Sequence, residues 1–392
     1  MRTAVVIFLC LLTVVPLLGQ KHIRKGLEAE SKQEYERAIF HFTKAINKNR
    51  SDVRGYVHRG RMRHLIGDVS GAIKDYSIAV HKRGDKYPVY YHRARAKLWL
   101  KDYAGAVTDN TQAIFYRQNS SNAYLNRGIA LTYLGKYTQA ILDLSTAASL
   151  DSMNASIYDS RATAYYAAGD EESALADFLK AMKLDPELNR HADAGMLYMQ
   201  LGLFKNAISE FEKALEFDSE DTTALMYLAE SRYELNDFEN AIGDVNKVIR
   251  IDPEHARAWY LRGVCFYNIG KYTESVKDFT NALLLDNNLA YARYYRGNAY
   301  AKLDDHVRAI DDFSKCLVYY PEMAGIYYDR SISKYQVCDI AGAIQDLSQA
   351  LKLDETDEEA YHLRVRYFQE LKHANIVPLP ENPDHTDFAH MR

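Results

Sequence analysis

The sequence predicts an all-α chain built as a solenoid of stacked helix-turn-helix units. Two observations carry that prediction. A phrase returns at a fixed interval: "YLNRGIALTYLGKY" at 124–137 and "YLRGVCFYNIGKY" at 260–272. Within every copy the apolar residues follow the three-to-four spacing of a helix face. An alanine or serine marks the register at Ala38, Ala72, Ala106, Ala140, Ala174, Ala207, Ala241, Ser275, Ala309 and Ala343. The interval is 34 throughout, except for the 33 residues from Ala174 to Ala207. A period in this range means one supersecondary unit that buries its faces only against its neighbours.

The elements follow in chain order. Met1-Arg2 and the uncharged run from Ala4 to Gly19 read as a signal peptide over 1–19, cleaved after Gly19. An uncleaved membrane anchor is the alternative. No second apolar run of membrane length exists, so no transmembrane helix is expected in the mature chain. Residues 20–356 then hold about ten units, 357–373 an unpaired capping helix, and 374–392 an extended tail carrying Pro378, Pro380 and Pro383.

We number each unit so that the marker residue is position 20. The first helix carries an aromatic at position 4 (Tyr56, Tyr90, Tyr124, Tyr158, Trp259, Tyr327, Tyr361) and a small residue at position 8, such as Gly60, Gly128 or Gly263. The second helix carries a bulky residue at 24, such as Phe42 or Phe279, and a small one at 27. Two antiparallel helices approach closely only where small side chains face each other, which here sets position 8 against position 20. Glycine in "LGKY" suits the left-handed turn between the helices, and proline in "LDP" stops the second one.

These units resemble tetratricopeptide repeats, with their aromatic, glycine, alanine and phenylalanine at fixed offsets. The resemblance implies a right-handed superhelix whose first helices line a concave, protein-binding groove through positions 2, 5, 9 and 12. It does not extend to the chaperone-tail clamp of that family, because no unit has a lysine at position 5.

At position 7 arginine recurs: Arg59, Arg93, Arg127, Arg161, Arg262, Arg296, Arg330 and Arg364. At position 23 aspartate recurs: Asp75, Asp109, Asp143, Asp177, Asp244, Asp278, Asp312 and Asp346. A charge-assisted pair between helices accounts for both. Arg364 has no second helix of its own, which points to Asp346 and hence to pairing between successive repeats. Repeats 6 and 7 lack the arginine (Ala194, Leu228) beside the 33-residue interval, so a local change in the superhelix is expected there.

The candidate groove residues are the tyrosines at positions 5 and 12: Tyr91, Tyr166, Tyr233, Tyr260, Tyr267, Tyr294, Tyr328 and Tyr335. A tyrosine-rich face suits peptide capture; the alternative is that these rings are buried against the next repeat. A basic patch is expected from Arg54, Arg61, His64 and Arg95, with His58 and His92 alongside. Residues 21–100 carry 19 Lys+Arg against 8 Asp+Glu, and 101–392 carry 29 against 45. That split suits an acidic protein segment, an anionic surface, or weak head-to-tail association with a second copy. Nucleic acid is disfavoured, because no RNA-binding motif accompanies the patch.

Cys265, Cys316 and Cys338 read as buried thiols rather than a disulfide framework. No nucleophile, phosphate loop or metal-ligand spacing interrupts the repeat. The sequence therefore predicts a protein that is not an enzyme, with no cofactor and no metal. Its function is expected to be that of an exported scaffold binding proteins or peptides, in the periplasm, secreted, or in a secretory-pathway lumen. The alternative is a holdase for unfolded clients.

Overall fold

The computed structural model describes residues 19–82 and 86–373. The first eighteen residues, most of the expected signal peptide, and the expected tail at 374–392 lie outside the described residues. Every regular element described is a helix, and the described residues contain no strand. They fall into two compact units that divide in the sequence between Leu201 and Gly202.

The first unit runs α1 (19–31), α2 (Tyr35–Lys48), α3 (Val53–Leu65), α4 (Val69–His81), α5 (Lys86–Trp99), α6 (Tyr103–Tyr116), α7 (Ser121–Tyr133), α8 (Tyr137–Leu150), α9 (Ala155–Ala168), α10 (Glu171–Leu184) and α11 (His191–Gln200). The second runs α12 (Phe204–Phe217), α13 (Thr222–Glu234), α14 (Phe238–Ile251), α15 (Ala256–Asn268), α16 (Tyr272–Leu285), α17 (Ala290–Lys302), α18 (His306–Tyr319), α19 (Ala324–Gln336), α20 (Ile340–Leu353) and α21 (Glu358–His373). Odd-numbered helices are the first helices of the repeats and even-numbered ones the second. Within each unit, helices adjacent in sequence pack against each other.

The turn between the two helices of a repeat has one fixed requirement. Position 15 adopts positive φ in all ten repeats, whether the residue is Gly67, Gly135, Gly169, Gly202 and Gly270 or Gln33, Lys101, Asn236, Asp304 and Cys338. Glycine suits it, and the others accept a small conformational cost. Cys338 is therefore an exposed turn residue, not the buried thiol expected; Cys265 and Cys316 are buried as expected. The next residue is often aspartate, whose carboxylate caps the second helix, as Asp102 does by accepting from the Gly105 N–H at 2.9 Å.

The small residue at position 8 serves a partner other than the one predicted. A Cβ added at Gly128 would stand 2.5 Å from Leu144, and at Gly263 2.8 Å from Phe279. Both neighbours occupy position 24, so the glycine is the seat of the bulky side chain. Position 20 still lies close to the backbone there: the Ser275 hydroxyl donates to the Gly263 carbonyl at 2.8 Å. The seated ring then stacks on position 6 of the following repeat, as in Phe42–His58 (5.2 Å) and Phe279–Tyr295 (5.9 Å). One ring thus joins two repeats, which is why no single hairpin completes a core.

Candidate functional site

The recurring charges form brackets. In repeat 9, Arg296 donates through Nε and Nη2 to both carboxylate oxygens of Asp312, each at 2.7 Å, and through Nη1 to Thr280 Oγ1 at 3.1 Å. Asp312 is position 23 of the same repeat; Thr280 is position 25 of the preceding one. Each arginine therefore ties its own two helices to the second helix behind it. The same three-way contact recurs at Arg59, Arg93, Arg127, Arg161, Arg262 and Arg330, with Thr43, Ser77, Thr111, Ser145, Asn246 and Ser314 as the third partner. The position-4 aromatic flanks the guanidinium, as Trp259 does Arg262 at 4.8 Å.

This corrects the expected pairing between successive repeats. Asp346 is held by Arg330 and Lys334, while Arg364 lies 5.8 Å from the Tyr361 ring. The hydroxyl or amide at position 25 is the sequence signal of this three-way contact. It is present before every repeat that has the arginine and replaced by Leu179 and Glu212 before the two that lack it.

Those two repeats depart in different ways. In repeat 7 a cation one turn later substitutes: Arg232 bonds Asp244 and also reaches Glu212 Oε1 at 2.7 Å. In repeat 6 the first helix is cut short. α11 spans 10 residues against 13 in α7 and 14 in α9, and the residues before His191 run as an irregular loop. Released from the helix, Arg190 forks onto Asp159 of α9 at 2.6 and 3.2 Å and onto Asp193 at 3.2 Å. Its guanidinium lies 5.7 Å from the Phe178 ring.

Around this network is a pocket of about 480 Å³ on the first helices of repeats 4 to 6. Ile129, Thr163 and Met196, all position 9, form one row of its wall, with Tyr166, Phe178 and Leu197 adding apolar surface. Thr132, Ser160, Asp159, Asp193 and Arg190 supply hydrogen-bonding groups. Apolar contacts beside polar groups on adjacent helices can hold both the side chain and the backbone of an extended segment.

A second, smaller pocket of about 140 Å³ lies between repeats 2 and 3, lined by Arg61, His64, Leu65, Tyr76, His92 and Arg95. Three of the four predicted basic residues thus meet there. Arg54 does not: it pairs with Asp52 at the start of its own helix, at 2.8 Å. Arg61 reaches Glu30 at 2.9 Å. Burial, then the surrounding positive charges, push the His92 imidazole down to about 4. His64 is also lowered, by burial and by Arg95.

Of the predicted tyrosines only Tyr166 is exposed, at 43%; the other seven are half-buried. Tyr233 and Tyr260 rest on the core around Phe279, and Tyr267 meets Tyr272 edge-on at 5.4 Å. The Tyr294 hydroxyl donates to Asp329 at 2.7 Å. The Tyr335 hydroxyl bonds Glu370, and its ring stacks on Tyr367 at 4.1 Å. Tyr91 packs 5.8 Å from Tyr87, and Tyr328 lies beside the core around Leu347.

Comparison with known proteins places the repeat. Residues 125–189 and 291–322 each match a family model described as Tetratricopeptide repeat. The chain carries tetratricopeptide repeats. Residues 200–282 match a further model, described as Anaphase-promoting complex, cyclosome, subunit 3. No curated protein matches the chain.

Solved structures with similar folds include the C-terminal part of a TPR repeat-containing protein from Cytophaga hutchinsonii: 17% identical, TM-score 0.47, covering 69% of this chain and 98% of that one. The Cut9-Hcn1 hetero-tetramer of the APC/C is 13% identical, TM-score 0.46, covering 91% and 98%. YrrB, described as a TPR protein with an unusual peptide-binding site, is 22% identical, TM-score 0.44, covering 47% and 95%. No helix among the described residues is long and apolar enough to cross a membrane.

Proposed function

We propose that this tetratricopeptide chain is an exported, non-catalytic scaffold that holds a partner protein through an extended segment laid on its first helices. One observation carries the reading: the pocket of about 480 Å³ at repeats 4 to 6, where a shortened α11 frees Arg190 to build a polar network beside an apolar wall. In the regular repeats the position-7 arginines are engaged in holding the helices together. Here the repeat is broken, and the break presents binding groups. In the second unit, the first helices carry a tyrosine face of their own in Tyr260, Tyr294 and Tyr328. Export is supported by the charged start and apolar run of residues 1–19.

The test plugs the pocket. Thr163→Arg and Met196→Arg place long cations among its lining residues. Each is expected to abolish partner capture in a pull-down while leaving thermal melting unchanged. Capture undiminished by both changes would refute the site. The same pull-down separates a scaffold, with one or two defined partners, from a holdase, with many unrelated ones.

A further inference from the structure

We infer that the pocket between repeats 2 and 3 is a proton-linked site for a carboxylate of an acidic protein segment, with Arg61 and Arg95 as its anion-binding jaws and His92 as the group that takes up the proton. The inference rests on the reading of the first-helix face as protein-binding and names what one part of that face recognises.

Four features support it. Arg61 and Arg95 are the same position of successive repeats, so adjacent first helices point two guanidinium groups at one pocket. Arg95 is exposed and has no ion-pair partner among the described residues; its near neighbour is the Tyr91 ring, 5.9 Å away. Arg61 shares Glu30 with His58, so its contact is already divided. His92 lies behind them, stacked 6.0 Å from the Tyr76 ring. A guanidinium fork matches a carboxylate in shape and charge.

Titratable and charged groups surround His92 on several elements, with Arg61, Arg95, His64 and His58 acting on it directly. α1 supplies Glu30, and α3 supplies His58, Arg61 and His64. α4 supplies Tyr76 and Asp75, the latter held by Arg59 and Arg63; α5 supplies Tyr91 and Arg95. α6, packed on α5, supplies Asp109, itself held by Arg93 and Lys97; of these acids Glu30 stands outside a bracket, and it sits on Arg61. The field at His92 is therefore positive, and together with burial it keeps the imidazole neutral at pH 7. A carboxylate between the arginines reverses that field. The neighbouring imidazole then gains a counter-ion and binds a proton more readily. By linkage, a ligand that raises a group's pKa binds more tightly as pH falls towards that pKa. The carboxylate of glutamate, with an ordinary pKa of about 4.3, is still mostly ionised at pH 5.5.

The experiment uses the whole chain and a fluorescein-labelled hexaglutamate peptide, read by anisotropy from pH 8 to pH 5.5 at low salt. Binding should tighten as pH falls and weaken as salt rises. Arg95→Gln should weaken it about tenfold or more at every pH, the loss of one charge-assisted contact. His92→Gln should bind but show no pH slope, while His64→Gln and His58→Gln keep it. The His92 imidazole proton signals should titrate at higher pH with peptide than without. No hexaglutamate binding, binding indifferent to Arg95→Gln, or a slope that survives His92→Gln would each overturn the proposal, as would preference for a single-stranded oligonucleotide. If the proposal fails while Thr163→Arg still abolishes partner capture, the scaffold reading stands without it.

Discussion

In repeat 9 the cation that joins three helices stands at position 7, Arg296; in repeat 7 it stands one turn later, at Arg232, because position 7 is Leu228. Both repeats keep a buried aspartate at position 23 and an acceptor at position 25 of the repeat before. The requirement is therefore the bracket, and its origin can slide by a helical turn, since side chains four apart share a face. Repeat 6 shows what happens when neither position supplies the cation. Ala194 holds position 7, the first helix starts late, and Arg190 turns instead towards Asp159. Regularity marks the framework, and departure from it marks the candidate site.

The comparison can be broken most forcefully at Arg296. Arg296→Met strands Asp312, which is 2% exposed, and should cost about 3–5 kcal/mol in denaturant unfolding, as removal of one partner of a buried pair does. Arg93→Met should cost clearly less, because Lys97 stays on Asp109 at 2.8 Å. Equal losses would mean that the second cation contributes nothing.

Next in size is the seat under position 24. Gly128→Leu or Gly263→Leu should cost about 1–3 kcal/mol by overpacking. Variants that melt like the parent would show that the contacts of 2.5 and 2.8 Å relax freely.

Repeat 7 allows a transplant. Arg232→Leu alone should destabilise, whereas Leu228→Arg with Arg232→Leu should recover stability to within about 1 kcal/mol, by restoring the bracket from position 7. Failure to recover would tie the later cation to something other than architecture.

The smallest effect concerns pH. Burial, opposed by the Tyr294 hydroxyl, raises the Asp329 carboxyl above its ordinary range. A carboxyl with a raised folded pKa favours the folded state while protonated and opposes it once ionised, so its contribution declines as pH climbs through and beyond the ordinary carboxylate range. Asp329→Asn keeps a side-chain oxygen as acceptor for Tyr294 and should stabilise the fold slightly at pH 7, by less than about 1 kcal/mol in denaturant unfolding. A drop at pH 7 would place a stabilising role on the charge itself.

Much of this architecture was legible in the sequence because it repeats. Ten copies of one pattern let the alanine at 20, the turn at 15 and the Arg–Asp pair emerge from spacing alone. The partner assignment failed where a single copy was asked to decide: Arg364 lacks a second helix, and its missing Asp was supplied from the wrong repeat. The 8-against-20 contact was half right, because both positions lie at the close approach but the glycine's space is taken by position 24. The pocket at repeats 4 to 6 had one visible signal, the 33-residue interval beside Ala194. What the interval could not convey was that Arg190 leaves the helix and finds Asp159, since a loop's side-chain direction is set by tertiary contacts. The tyrosines share a helix face as their spacing requires, but the burial of each ring depends on the next repeat.

The most direct measurement places a photo-crosslinking residue at Tyr166, on the first-helix face of α9, and separately at Leu142, 69% exposed on the second helix α8. Both variants are then illuminated with the captured partner. The account predicts a crosslinked adduct from position 166 and none from position 142. An adduct from 142 with none from 166 would put the partner on the second helices and contradict it.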